Sequence, residues 1–140
     1  MRIATPNWLR AGLWAATLSG APSTLHALAT GRDPLEAMRA AGSILLPSER
    51  RTLPLVVAAV PVHLALSLGW AFALDRAGVR GVRAGALAGL GIAAFDLGVV
   101  SRRIPRVRAL PLGPQALDHL AYGAVAGIVL GQRRRRRDSV

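Results

Sequence analysis

Five ionisable side chains interrupt otherwise apolar stretches of this chain: His26, His63, Asp96, Asp118 and His119, with the phenol of Tyr122 one helical turn beyond Asp118. In hydrocarbon each ionisable group costs about 3 kcal/mol on insertion scales, so each needs a partner or a task. A carboxylate and an imidazole from different helices can serve in two ways. They can fix helix register by hydrogen bonding, at about 1 kcal/mol per contact. They can also line a small polar cavity that takes a proton, a cation or a small polar solute, with histidine making the site pH-sensitive near neutrality. Both readings stay open on sequence alone. Metal or haem ligation is disfavoured, because the three histidines lack a compact spacing such as H-E-x-x-H and the chain has no cysteine. No nucleophile elbow, Walker loop or carboxylate pair at a recognisable spacing is present, so neither enzymatic activity nor a cofactor is expected.

The elements that must position these groups follow from the distribution of charge. The chain is 140 residues long, 52% hydrophobic and formally +11, and all 18 basic residues are arginine. Its mean hydropathy is +0.38. Such a balance excludes a disordered chain, and the absence of cysteine excludes a disulfide-stapled secreted domain. A nucleic-acid role is not expected either: no aromatic interleaving or recognised motif accompanies the arginines, which sit in blocks apart from the apolar residues.

Four of those apolar blocks approach the ~20 residues that a bilayer-spanning helix needs. Residues 53–74 contain no Asp, Glu, Lys or Arg, and their clearly polar positions are His63 and Ser67, which leaves no solvated face. Residues 11–29 carry no formal charge; 84–100 carry Asp96 alone and 115–132 carry Asp118 alone. No block alternates with period two, so strands are excluded. The expected architecture is all-α: one transmembrane domain over 1–140, a polytopic four-helix bundle with spans at about 9–29, 53–74, 84–101 and 115–132 and a basic tail at 133–140. Arg2 and Arg10 ahead of the first block, and the A-x-A-like Ala27-Leu28-Ala29, admit a cleaved signal peptide as a competing reading. The interruptions at Pro22, Ser23, Thr24 and His26 argue against it.

Between the first two blocks, Asp33-Pro34-Leu35-Glu36 has the pattern of a helix start: an N-cap, Pro at N1 and an acid in the first turn. Leu35, Met38, Ala41, Gly42 and Leu45 then recur at helical spacing, and a short amphipathic helix over about 34–46 is expected at the membrane interface. Pro22 and Pro61 should kink their spans. Pro105, Pro111 and Pro114 deny the 101–114 connection a long helix.

Small residues at spacing four mark the faces on which spans can approach closely. They are Gly12, Ala16 and Gly20 in the first block; Pro61, Ala65 and Gly69 in the second; Gly81, Gly85, Gly89 and Ala93 in the third; Gly123, Gly127 and Gly131 in the fourth. His119 lies on the fourth stripe and should face a neighbouring helix. Asp118 and Tyr122 share another face, His63 shares one with Ser67 and Trp70, and His26 shares one with Ser19 and Ser23. Depth counting puts His26, Asp96, Asp118 and His119 in one layer near one membrane face, with His63 deeper.

Four spans leave both termini on one side. The arginines there are Arg2, Arg10, Arg76, Arg80, Arg83 and the five of 133–137, ten in all, against eight on the other side. That bias and the undivided terminal cluster favour cytoplasmic termini, while near balance leaves dual topology open. The tail is expected to attract anionic lipid headgroups.

Ser19-Gly20-Ala21-Pro22-Ser23-Thr24, the run Gly31-Arg32-Asp33-Pro34-Leu35-Glu36-Ala37, Asp96-Leu97-Gly98, and Asp118-His119 followed by Tyr122, Gly123 and Gly127 together resemble a group of small uncharacterised bacterial four-span integral membrane proteins. The resemblance covers most of the chain and implies a four-helix protein of the bacterial inner membrane, without implying an activity. An all-Arg, Ala/Gly/Pro-rich composition also suits a GC-rich bacterial genome. The expected role is a structural or accessory membrane component that associates with itself or with another membrane protein through Gly-rich faces. A small transporter or channel-like protein using the His/Asp layer is the alternative.

Overall fold

Helices form where the apolar blocks lie, and they end where Pro and Gly interrupt them. A computed structural model describes residues 5–137, with side chains as far as Gln132. In chain order it contains α1 (Asn7–Leu18), α2 (Ala21–Ala29), α3 (Glu36–Gly42), α4 (Thr52–Arg76), α5 (Val82–Gly98), a 3-10 turn (Val100–Arg103), α6 (Pro105–Arg108) and α7 (Leu112–Arg137). Among the described residues there is no strand.

The first apolar block is not one continuous helix over 9–29 kinked at Pro22; the helix is broken outright into α1 and α2. Pro22 offers no N–H to the Leu18 carbonyl and its ring crowds that carbonyl. Gly20, just ahead, is the least helix-committed residue available. Helix α1 therefore closes with the Ser19 N–H on the Ala15 carbonyl at 3.0 Å, and α2 begins afresh with the Thr24 N–H on the Gly20 carbonyl at 3.2 Å. Pro61, between Val60 and Val62 with no glycine beside it, lies inside an uninterrupted α4. The two pieces still follow one path along α7. Asn7 Nδ2 donates to the Val129 and Leu130 carbonyls at 3.2 and 3.3 Å, and farther along the Ser23 N–H reaches Asp118.

The backbone of α7 stays helical past the fourth block and through the arginine run of the basic tail to Arg137. The lipid contacts expected of that run lie outside the described side chains. The short helix expected over 34–46 is confined to Glu36–Gly42. Asp33 still acts at its start, accepting the Leu35 N–H on Oδ1 at 2.8 Å and pairing with Arg39 at 2.6 Å. These partners, the Leu35 amide first, hold its carboxyl below the ordinary 3.8. Gly42 rests directly on the Leu55 backbone, so α3 is pinned against the first turns of α4.

Helix α1 lies between α4 and α7, and α7 lies between α1 and α5. The core where they meet is built of small and branched residues: Ala11, Ala15, Ala71, Leu74, Ile92, Ala126, Val129 and Leu130, with Tyr122. The tightest approach is between antiparallel α5 and α7. A Cβ on Gly123 would stand 2.7 Å from both N and Cα of Gly89, and one on Gly127 would stand 2.9 Å from Cα of Gly85. Gly81 caps α5 at φ 82° and donates its N–H to the Gly127 carbonyl at 2.8 Å. The stripes read in the third and fourth blocks are thus the α5–α7 contact itself. Gly12 packs on Leu68 and Ala71 of α4, but Gly20 and Gly69 meet nothing and Pro61 and Ala65 are exposed, so the second stripe packs on no helix.

Among the described residues, two helices are long and apolar enough to cross a membrane: α4, with mean hydropathy 2.0, and α5 with its 3-10 turn, Val82–Arg103, at 1.7. Only 28% of each apolar window is buried inside the protein. Their outward faces instead carry Leu53, Val57, Leu66, Phe72, Leu87 and Phe95. A core helix of a water-soluble bundle would bury that surface or replace it with polar residues.

Candidate functional site

Helix α7 turns Asp118 and His119 about 100° apart with Tyr122 between them, and the three reach α2, α5 and α4 respectively. His119 continues the glycine stripe toward α5. Its carbonyl lies against Gly89, and its imidazole reaches Asp96 one turn from the α5 C-terminus, with Nε2 3.2 Å from Oδ2. The other ring nitrogen lies 2.8 Å from the Gln115 carbonyl. A carbonyl can only accept, so Nδ1 carries a proton. The contact between Nε2 and Asp96 therefore needs one further proton, held either by the imidazolium or by the carboxylic acid. In both cases the pair is neutral as a unit, which is the form least penalised in low dielectric.

Asp118 turns toward the broken segment. Its Oδ1 accepts the Ser23 N–H at 2.9 Å. Ser23 is the third residue of α2, whose N-cap is Gly20 without a capping side chain. The carboxylate of one helix thus caps the N-terminus of another, where its charge also complements the helix dipole. On the other side of the break, His63 of α4 donates from Nε2 to the Ala16 carbonyl at 2.8 Å. That carbonyl belongs to the last turn of α1, whose acceptors have no partner along the helix. The interruption at 19–20 is therefore bracketed by a donor from α4 and an acceptor from α7.

Tyr122 points into the core, 6% exposed, and its hydroxyl donates to the Ser67 carbonyl of α4. Trp70, one turn on from Ser67, stacks edge-on to Phe95 of α5 with ring centroids 6.0 Å apart. His26 stands apart from this network. It is half-buried in a small cleft between α2 and the start of α7, lined also by Arg32, Asp33, Glu36 and Gln115.

Of the six residues singled out in the sequence, the structure brings Asp96 and His119 into direct contact. It places Asp118, His63 and Tyr122 in separate interhelical bonds and leaves His26 at the edge. Among the described residues, no group of three His, Asp or Glu side chains comes together as a metal site requires, and no buried side-chain nitrogen or oxygen lacks a partner. Sequence reasoning missed Asn7, which ties α1 to α7. A lone Asn beside Trp8 at the edge of an apolar block carries no signal of that role.

The class that this geometry defines is an all-helical protein with two membrane-length apolar helices, cross-linked by polar groups within its apolar layer. Comparison with known proteins finds no family model, no curated protein and no solved structure that matches the chain.

Proposed function

We propose that this chain is a four-span integral membrane protein, of the small bacterial inner-membrane kind it resembles, acting as a structural or accessory component with no catalytic role. In this reading α1 and α2 together form the first span, α4, α5 and α7 the other three, and both termini are cytoplasmic. The observation that carries the assignment is the commitment of the polar residues to hydrogen bonds between helices. Asp96, Asp118, His63 and Tyr122 each engage a group on a different helix, and among the described residues no buried side-chain nitrogen or oxygen lacks a partner. Groups committed to one another in this way fix helix register and leave little capacity for a passing solute. The outward apolar faces then meet lipid or a membrane partner, including a second copy of the chain.

The test separates a structural layer from a transporting one. In Asp96→Asn the amide can still donate to Nε2 of a neutral His119, so the folded yield in detergent should stay near wild type. Asp96→Leu leaves Nε2 without a partner and should lower the yield. Proteoliposomes should show no pH-dependent flux of protons or cations in either wild type or Asp96→Asn. Wild-type flux that Asp96→Asn or His119→Ala abolishes, with folding intact, would make the protein a small transporter and overturn the proposal.

A further inference from the structure

At the end of the bundle opposite Asn7 and Leu130, a cleft of about 700 Å³ opens between the connection that follows α3 and the turn that follows α5. Glu49 and Arg50 stand in one wall, and Arg103 and Arg106 in the other. The volume falls within the ~300–1,000 Å³ usual for small-molecule sites. We propose that this cleft binds the phosphate of an anionic headgroup, held by the guanidinium groups of Arg50, Arg103 and Arg106. The inference rests on the reading that α4 and α5 span the membrane.

The charges around the cleft are unequal. Glu49 is the acid in its wall, and its carboxylate is already engaged by Arg51 at 2.8 Å and by the N–H groups of Arg50 and Arg51 at 2.8 and 2.9 Å. Arg106 spends Nη2 on the Glu49 carbonyl at 2.9 Å, which fixes its stem across the cleft and leaves its remaining N–H groups available. Arg50 and Arg103 are exposed and make no ion pair among the described residues. Three guanidinium groups around one concavity match the tetrahedral oxygens of a phosphate, which each can bind through two parallel N–H groups. The start of α4 adds the positive end of a 25-residue helix beside Arg50.

The apolar part of the wall points to a lipid as the source of that phosphate. Ile44, Pro47, Ile104 and Pro105 share the lining with the arginines. Leu45, Leu46 and Leu53, 55%, 38% and 74% exposed, continue the apolar surface from the cleft onto the outer face of α4. A diester headgroup can occupy the basic floor while its acyl chains lie along these residues. A free phosphate ion would use the first feature and not the second.

Native mass spectrometry of the full-length protein in uncharged detergent reads this directly. Phosphatidylglycerol, phosphatidylcholine and water-soluble glycerophosphoglycerol are the probes. Wild type should retain phosphatidylglycerol at least tenfold more strongly than phosphatidylcholine. The double variant Arg50→Gln/Arg103→Gln should lose that preference, and Arg83→Gln, in the first turn of α5 at the opposite end, should keep it. Arg50→Gln alone, expected to lose part of the preference, serves if the double variant does not purify. Equal retention of the soluble headgroup would support the phosphate site and name a soluble source. Phosphatidylglycerol binding unchanged in the cleft variants, as contact through the 133–137 run would give, overturns the proposal. Carbonate extraction keeps the two readings apart. Release from membranes refutes the spanning arrangement, whereas a carbonate-resistant protein without lipid preference refutes the cleft alone.

Discussion

Placing one methyl group between α5 and α7 tests the packing most severely. In Gly123→Ala the new Cβ would collide with the Gly85 carbonyl and stand 2.7 Å from N and Cα of Gly89, so every near neighbour is backbone. No rotamer change can relieve a backbone clash. The helices must separate by about 1–1.5 Å to bring the Gly89 contacts near 3.5–4 Å and to clear the Gly85 carbonyl. Separation loosens the whole antiparallel interface, including the 2.8 Å bond from the Gly81 N–H to the Gly127 carbonyl and the 3.2 Å contact of His119 with Asp96. Overpacking of a well-packed contact costs about 1–3 kcal/mol, and the loss of these bonds places Gly123→Ala toward the upper end. Gly91→Ala is the control, since a Cβ there meets nothing within 4 Å. It should be neutral or slightly stabilising, because Ala exceeds Gly in helix propensity by up to about 1 kcal/mol. Reversible unfolding in mixed detergent micelles, followed by far-UV circular dichroism, gives the comparison. Gly85→Ala combined with Gly123→Ala should cost less than the sum of the single changes, because one separation relieves both clashes. Equal midpoints for Gly123→Ala and Gly91→Ala would refute the close α5–α7 contact.

Asp118→Leu strands the Ser23 N–H at the start of α2 and should destabilise by about 1–3 kcal/mol, whereas Asp118→Asn, which can still accept from it, should cost less; the same unfolding assay ranks them. Glu49, held by Arg51 and two amides, is lowered from the ordinary 4.5 to about 2. A depressed carboxylate contributes stability above its unfolded value that is lost as pH falls through the folded one. Wild type should therefore lose stability between about pH 4.5 and 2 relative to Glu49→Gln; parallel acid-unfolding curves for the two proteins would contradict the clamp. Single cysteines introduced at Thr30, Ala77 and Ala109 in this cysteine-free chain should label with an impermeant reagent from one side at 30 and 109 and from the other at 77. Labelling of all three from one side would exclude four spans.

Much of this arrangement is written in local sequence. The apolar blocks forecast α4, α5 and α7 because long runs almost free of charge and without period-two alternation form helices, and 53–74 is also of bilayer length. The glycine stripe of α7 forecast its partner face because spacing four is the helical repeat, and His119 stood on that stripe. What pairing alone decided was which acid meets which base. Asp96 and Asp118 were equivalent candidates for a histidine until the antiparallel register of α5 on α7 set Asp96 against His119 and left Asp118 to the Ser23 N–H. The break at Ser19 and Gly20 belongs to both levels. Pro22 makes a continuous helix costly there, but Pro61 carries the same local defect inside an intact α4. Besides the glycine ahead of the first proline, the difference lies in three dimensions, where His63 and Asp118 from two other helices satisfy the Ala16 carbonyl and the Ser23 amide on either side of the break. The arginines of the cleft show the same division. Their number was evident from composition, but Arg50 and Arg103 lie 53 positions apart and face one cavity only because α4 begins where α5 ends. Composition and periodicity act over a few helical turns and so determine the elements and their buried faces. Which distant polar groups meet depends on helix register and crossing, and that is settled by backbone contact at Gly85, Gly89, Gly123 and Gly127.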